Sequence, residues 1–213
     1  MKSSASIYEL KITLRDTRPP IWRRLRVRSD VTLFKFHSIL QFVMGWMDGH
    51  MHQFVANGKA YGRADPEFPE SENEQKILLG EVLRKAKDVL VYEYDFGDGW
   101  EHTVVLEQVL EVAPGGTYPY VVKGKRACPP EDCGGTRGYG HLLEVLADTT
   151  HSEHADMVDW VGGAFDPEAF DVGEINRGFH GGWYLPPAAD APRSKTALPL
   201  QTTLKLAAPR RRR

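Results

Sequence analysis

The chain has 213 residues, 41% hydrophobic and 10% aromatic, which suits one domain of ordinary size and excludes wholesale disorder. It has no run of 18 apolar residues, only two cysteines (Cys128 and Cys133), and an N-terminal MKSSASIYELKITLRD without the apolar run of a secretory signal. A membrane span and a secreted disulfide scaffold are thereby excluded, and a cytoplasmic protein is expected. The net charge of −2 hides an asymmetry, because residues 36–187 sum to −14, so a broad basic footprint for nucleic acid is confined to the two ends.

Residues 6–15, SIYELKITLR, alternate Tyr8, Leu10, Ile12 and Leu14 against Ile7, Glu9, Lys11 and Thr13, the period of a half-buried strand. Pro19-Pro20 interrupts the pattern, since proline cannot donate to a ladder. IWRRLRVR resumes it, and the two runs predict an antiparallel pair with an arginine-rich solvent face. Arg23 and Arg24 on that face are candidate contacts for nucleic-acid phosphate, although strand faces of this kind are commonly just solvated.

A helix is predicted next. Thr32 suits its N-cap, Val31 and Phe36 stand at staple positions, and Phe36, Ile39, Leu40, Val43 and Met47 recur at helical spacing. HMHQFVANGKAY, from His50 to Tyr61, predicts a hairpin turning at Asn57-Gly58. Residues 62–76 are polar and carry Pro66 and Pro69, hence a loop, and 79–87 suggest a short helix. DVLVYEYDF and WEHTVVLEQVLEV flank Gly97-Asp98-Gly99, a strong hairpin signal. YVVKGKRAC predicts one more strand, whereas CPPEDCGGTRGYG is too rich in Pro and Gly for regular structure.

Three helices are predicted after it. One carries Tyr139, Leu142, Leu143 and Leu146 behind a Thr136 cap, and a second carries Met157, Val158 and Val161 and stops at Gly162-Gly163. A third begins at Asp166-Pro167 and runs towards Phe179. The expected architecture is α+β: an antiparallel sheet of hairpins packed against helices, with a helical C-terminal part, in one domain over residues 1–185. Residues 186–213 lack an apolar face and end in four arginines, which predicts a disordered basic tail and a second candidate contact for nucleic acid.

Four segments together carry a resemblance: YELKITLRDTRPPIWRRLRV, the helix leading to GWMDGHMHQF, YEYDFGDGWEH, and ACPPEDCGG followed by GYGHLLEVL. In this order they resemble the plasmid pRiA4b Orf3-like family, encoded on plasmids, insertion elements and chromosomes. The resemblance covers about residues 5–180 and implies one α+β domain, associated with mobile elements, whose molecular function is not established. Some members carry a transposon-resolvase label, which the residues here do not support. The first strand has no nucleophilic serine beside an arginine, and none of the eight histidines has Arg three residues later.

Several polar groups could carry chemistry. If His50 and His52 both lay on a strand, they would face one side and could hold one divalent metal ion. Asp95, Asp98, Glu101 and His102 gather at the hairpin tip, where Asp98 and His102 could complete that site and Asp98 could act as a base. The same Asp98 is also what the turn demands, with Phe96 and Trp100 as its core anchors. Glu131 and Asp132, between cysteines too far apart for a zinc knuckle, could join a binding site with His50 and His52 or cap backbone amides. No complete catalytic set can be named. The favoured expectation is therefore a non-enzymatic binding or accessory module, ahead of a metal-dependent hydrolase or nuclease and of a protein-interaction domain.

Overall fold

The structure, a computed structural model, describes residues 5–63 and 70–181. The predicted Arg-rich tail lies outside the described residues. The first alternating run becomes β1 (Ile7–Leu14), with Tyr8, Leu10, Ile12 and Leu14 buried, and it pairs antiparallel with β2 (Trp22–Arg28). β3 (His52–Ala56) and β4 (Lys59–Gly62) close a hairpin over Asn57 and Gly58. Their φ values of 52° and 74° are the left-handed pair that a tight two-residue hairpin requires.

The polar stretch over 62–76 is not entirely loop. Its end supplies β5 (Glu72–Asn73), two residues paired parallel to β4, because the open edge of that strand still offers backbone groups. β6 (Val89–Tyr94) and β7 (Trp100–Leu110) form the long central hairpin, and β8 (Tyr120–Lys125) ends the sheet. The eight strands run in the order β5-β4-β3-β6-β7-β1-β2-β8.

Helix α1 (Leu33–Met44) lays Phe36, Ile39, Leu40 and Val43 into the core. Thr32 caps it by accepting from the Lys35 amide, and Gly45 ends it at φ 83°. The helix expected over 79–87 is a single turn, α2 (Leu79–Val82). It stops because Asp88 takes the amides of Arg84 and Lys85 into a turn of its own.

Helices α3 (Gly135–Ala147), α4 (His154–Trp160) and α5 (Val172–His180) follow. Thr136 lies inside α3 and does not cap it. Asp166 caps a separate turn through the Glu168 amide, so α5 starts later than predicted, where Asp171 accepts from Glu174. α5 packs along β8, and Asn176 bonds both the amide and the carbonyl of Val121, so that the outer edge of the sheet is partly covered. No helix among the described residues is long and apolar enough to cross a membrane.

The arginine face departs from expectation. Arg23 points inward and is 1% exposed, sharing the side of Leu25 and Val27. Its guanidinium donates to the carbonyls of Val43, Trp22 and Lys125 at 2.9–3.1 Å and to the Cys128 sulfur, and it lies 4.0 Å from the Phe170 ring centroid. Arg24 and Arg26 do face outward, but each holds a carboxylate, Glu107 and Glu9 respectively. Their interaction with Glu107 and Glu9 leaves no unpaired guanidinium row on β2.

The two neighbouring arginines should differ sharply in urea melts. Arg23→Ala strands three carbonyls and opens a cavity, and is expected to cost about 3 kcal/mol or more. Arg24→Ala breaks a half-exposed pair and should cost under about 1 kcal/mol. Equal losses would contradict this assignment.

Candidate functional site

At one end of the sheet, three irregular segments meet: the turn after α1, the β6–β7 tip, and the proline-rich connector before α3. Trp46, 4% exposed, stacks on Tyr94 at 5.0 Å and donates its indole N–H to the Pro129 carbonyl at 2.9 Å. The Tyr94 hydroxyl donates to Glu131 Oε1 in a very short contact and accepts from the Gly49 amide at 3.0 Å. Burial, then the Glu131 carboxylate, hold the Tyr94 hydroxyl far above its ordinary pKa, so it stays protonated and donating. Glu131 Oε2 accepts from the Met47 amide at 3.1 Å. Glu131 therefore works as a clamp, tying the connector to the turn.

This clamp brings Asp132 to His50. Asp132 Oδ1 lies 3.2 Å from His50 Nε2, and on the ring's other side Asp95 Oδ2 lies 3.6 Å from Nδ1. Asp95 is fixed by its second oxygen, which accepts from the amides of Gly97 at 3.0 Å and Asp98 at 3.3 Å. Both aspartates sit in the left-handed region, at φ 56° and 61°, which this residue type tolerates better than most. One donor atom from each of His50, Asp95 and Asp132 lies within 4.8 Å of the other two. The two carboxylates thus approach one imidazole from different sides. The site grades from Asp95, 10% exposed, through His50 at 31% to Asp132 at 72%, so it opens to solvent on the connector side.

The other predicted ligands lie elsewhere. β3 begins at His52, so His50 precedes the strand and the same-face rule for residues two apart does not apply to the pair. His52 enters the core, where Nε2 meets Glu74 Oε2 at 2.8 Å. Asp98 Oδ2 accepts from the Gly134 amide at 3.1 Å, supplying a cap to a helix whose N-cap residue is itself a glycine. A Cβ on Gly135 would stand 2.5 Å from the Asp98 carbonyl oxygen, so the tip seats closely on α3. His102 is fully buried on β7, edge-on to Trp46, with Nδ1 at 3.3 Å from the Tyr92 carbonyl. Trp100 anchors the tip as expected, but Phe96 is 41% exposed.

Sequence reasoning passed over His37, Asp48 and Glu74, which form a second cluster with His52. The sole signal for His37 is its place on the buried side of α1. A directed hydrogen-bond chain fixes its protons. Gln41 Nε2 donates to the Tyr92 hydroxyl at 2.9 Å, whose proton goes to His37 Nδ1 at 2.8 Å. His37 Nε2–H then donates to Asp48 at 2.9 Å, and the Asp48 amide returns to Gln41 Oε1. Burial, with the neighbouring His52, pushes His37 down to about 4, in keeping with a neutral ring.

His37, Asp48 and His52 also have donor atoms within 4.8 Å, but a shared metal does not fit them. The two imidazoles stack at 3.4 Å with 2° between their planes. A metal on both rings would sit about 1.7 Å out of each plane, against a bond of about 2.0–2.1 Å that should lie in the plane. The surface trio has no such stacking.

Against known proteins, the family profile described as plasmid pRiA4b ORF-3-like protein matches residues 6–174. The chain is similar to uncharacterized protein y4hQ of Sinorhizobium fredii, at 34% identity over 81% of this chain and 90% of that one. It is also similar to the crystal structure of the protein of unknown function MM3350 from Methanosarcina mazei Go1. That likeness has a TM-score of 0.74 and 37% identity, covering 81% of this chain and 98% of that chain. An α+β domain with an eight-stranded sheet is thus the class. The chain belongs to the plasmid pRiA4b ORF-3-like family.

Two buried imidazoles, His37 and His102, set a pH dependence, and His102 tests one of them separately. Burial pushes His102 down to about 4 from 6.5, so the unfolded chain takes up a proton there first as pH falls. The stability due to neutral His102 is complete above pH 6.5 and is lost progressively towards pH 4. Unfolding free energy should drop by about 2 kcal/mol from this group between pH 8 and pH 5. His102→Leu should flatten that slope in urea melts at the two pH values, and an unchanged slope would refute the assignment.

Proposed function

We propose that this protein is a binding module that holds one divalent cation at His50, Asp95 and Asp132, at the open end of the sheet. The observation that carries the proposal is the convergence of one imidazole nitrogen and two carboxylate oxygens within 4.8 Å, drawn from three separate segments. That donor set suits first-row cations such as zinc or manganese. Three protein donors leave coordination positions open, the arrangement of a site that receives a further ligand.

Binding is favoured over hydrolysis of nucleic acid because the wider set His50, His52, Asp98 and His102 is not gathered around one point. The outward arginines Arg24 and Arg26 already carry carboxylates, so the proposal places no phosphate contact on β2. An accessory role to a mobile element fits a binding module of this kind.

Calorimetric titration of chelator-stripped protein with Mn2+ and Zn2+ tests the reading. One equivalent should bind. His50→Ala and Asp132→Asn should each weaken binding by about tenfold or more, while Asp98→Asn, which caps α3, should leave it unchanged. Undiminished affinity in His50→Ala would refute the site.

A further inference from the structure

All three donors of the proposed cation site are placed by one strand. Asp95 directly follows β6, and Asp132 stands where the contact between Tyr94 and Glu131 sets its connector. His50 belongs to the turn after α1, and the two residues before it are each tied to the same strand. Gly49 gives its amide to the Tyr94 hydroxyl at 3.0 Å. Asp48 reaches Tyr92 through one intermediary, His37, which is 1% exposed. Tyr92 and Tyr94 are two apart on β6, so both side chains leave the same face of the sheet.

The bonds around His37 close on themselves. Gln41 donates to the Tyr92 hydroxyl, that hydroxyl to His37 Nδ1, His37 Nε2–H to Asp48 Oδ1, and the Asp48 amide to Gln41 Oε1. Every link needs one donor and one acceptor, so the circuit admits a single orientation of the ring. It holds Asp48 by side chain and amide at once, at a φ of 55° that few residue types besides Gly, Asn and Asp adopt readily.

We infer that His37 is a positioning residue for the cation site: it never touches the cation, and through Asp48 it sets where His50 stands. This rests on the cation reading above. The task needs an acceptor towards Tyr92 and a donor towards Asp48 on one compact, rigid group, which an imidazole supplies. An apolar side chain of similar size supplies neither, whereas a carboxamide supplies both. Groups that orient a metal ligand without meeting the metal typically account for about tenfold or more in affinity.

Calorimetric titration of the chelator-stripped full chain with Mn2+ tests this role. His37→Leu should weaken binding by about tenfold or more, and His37→Gln, which keeps a donor and an acceptor, should recover most of that loss. Val104→Ala opens a cavity in the core where β7 pairs with β1 and β6, and it should lower stability while leaving Mn2+ affinity unchanged. Asp48, with a side chain 44% exposed, supplies a second comparison that does not disturb the core. Asp48→Asn and Asp48→Gly both remove the charge and both suit the positive φ, but only the first can still accept from His37. Asp48→Asn should therefore bind Mn2+ about tenfold more tightly than Asp48→Gly.

Wild-type affinity in His37→Leu, an equal loss in Val104→Ala, or equal affinity of the two Asp48 variants would overturn the role of His37 and leave the cation site standing. Absence of Mn2+ binding to the wild-type chain would instead overturn the cation reading from which this one is built.

Discussion

The geometry of the whole sheet end depends on the contact between Tyr94 and Glu131. The connector from Cys128 to Gly134 has no ladder of its own, and its Pro129-Pro130 pair and glycine content prevent one. Its position is set by bonds to other segments: Trp46 to the Pro129 carbonyl, Tyr94 and Met47 to Glu131, and Gly134 to Asp98. The prolines have already removed much of the chain's freedom, so fewer contacts suffice to order it. With Glu131 fixed by both oxygens, the next residue brings its carboxylate within reach of His50.

The core behind this end is unusually polar for a sheet-and-helix packing. Glu74, fully buried, meets His52, and Arg23, nearly so, meets carbonyls and a thiol with no acid beside it. Burying a polar or charged group is costly, and Arg23 meets that cost with several directed partners, whereas Glu74 has His52 on Oε2 and no partner on its buried Oε1 among the described residues. These networks link elements that the hydrophobic effect alone would position loosely. Arg23 joins β2, α1, β8 and the connector, and the Gln41–Tyr92–His37–Asp48 chain joins α1 to β6 and to the turn before the site. The turn carrying His50 is therefore anchored from inside by Asp48 and Gly49 and from outside by Glu131.

Much of this was legible in the residues. Alternation located β1 and β2, Thr32 caps α1 as expected, and Asn57-Gly58 turns its hairpin. Parity also placed Arg23 with Leu25 and Val27. The inference failed there because residue type was allowed to override spacing, and only the tertiary partners explain why a guanidinium can occupy an inward position. His50 and His52 were misread through a boundary of two residues: moving the strand start from 50 to 52 separates the pair into two environments. Glu74 was illegible, since a carboxylate in a polar stretch gives no sign of burial until β5 pairs with β4. Glu131 and Asp132 were both in view, but which would clamp and which would face the imidazole depends on the connector's path.

For the acidic residues of the hairpin tip, turn geometry and an outward-facing donor are compatible, as Asp95 shows. A carboxylate has two oxygens with separate lone pairs. In Asp95 one oxygen accepts two turn amides, and the other is thereby aimed at His50. The turn is what makes the donor available: without the amides the side chain would sample several rotamers, and a cation would have to offset that entropy on binding. Because the hairpin has already fixed the oxygen in folding, the ordering cost does not fall on the ligand. Asp132 has no comparable pair of amides and is far more exposed, so it is the donor with freedom to move. In the proposed site a cation would meet a fixed oxygen at Asp95 and a ring at His50 before the more exposed Asp132, which would give binding an order as well as a composition.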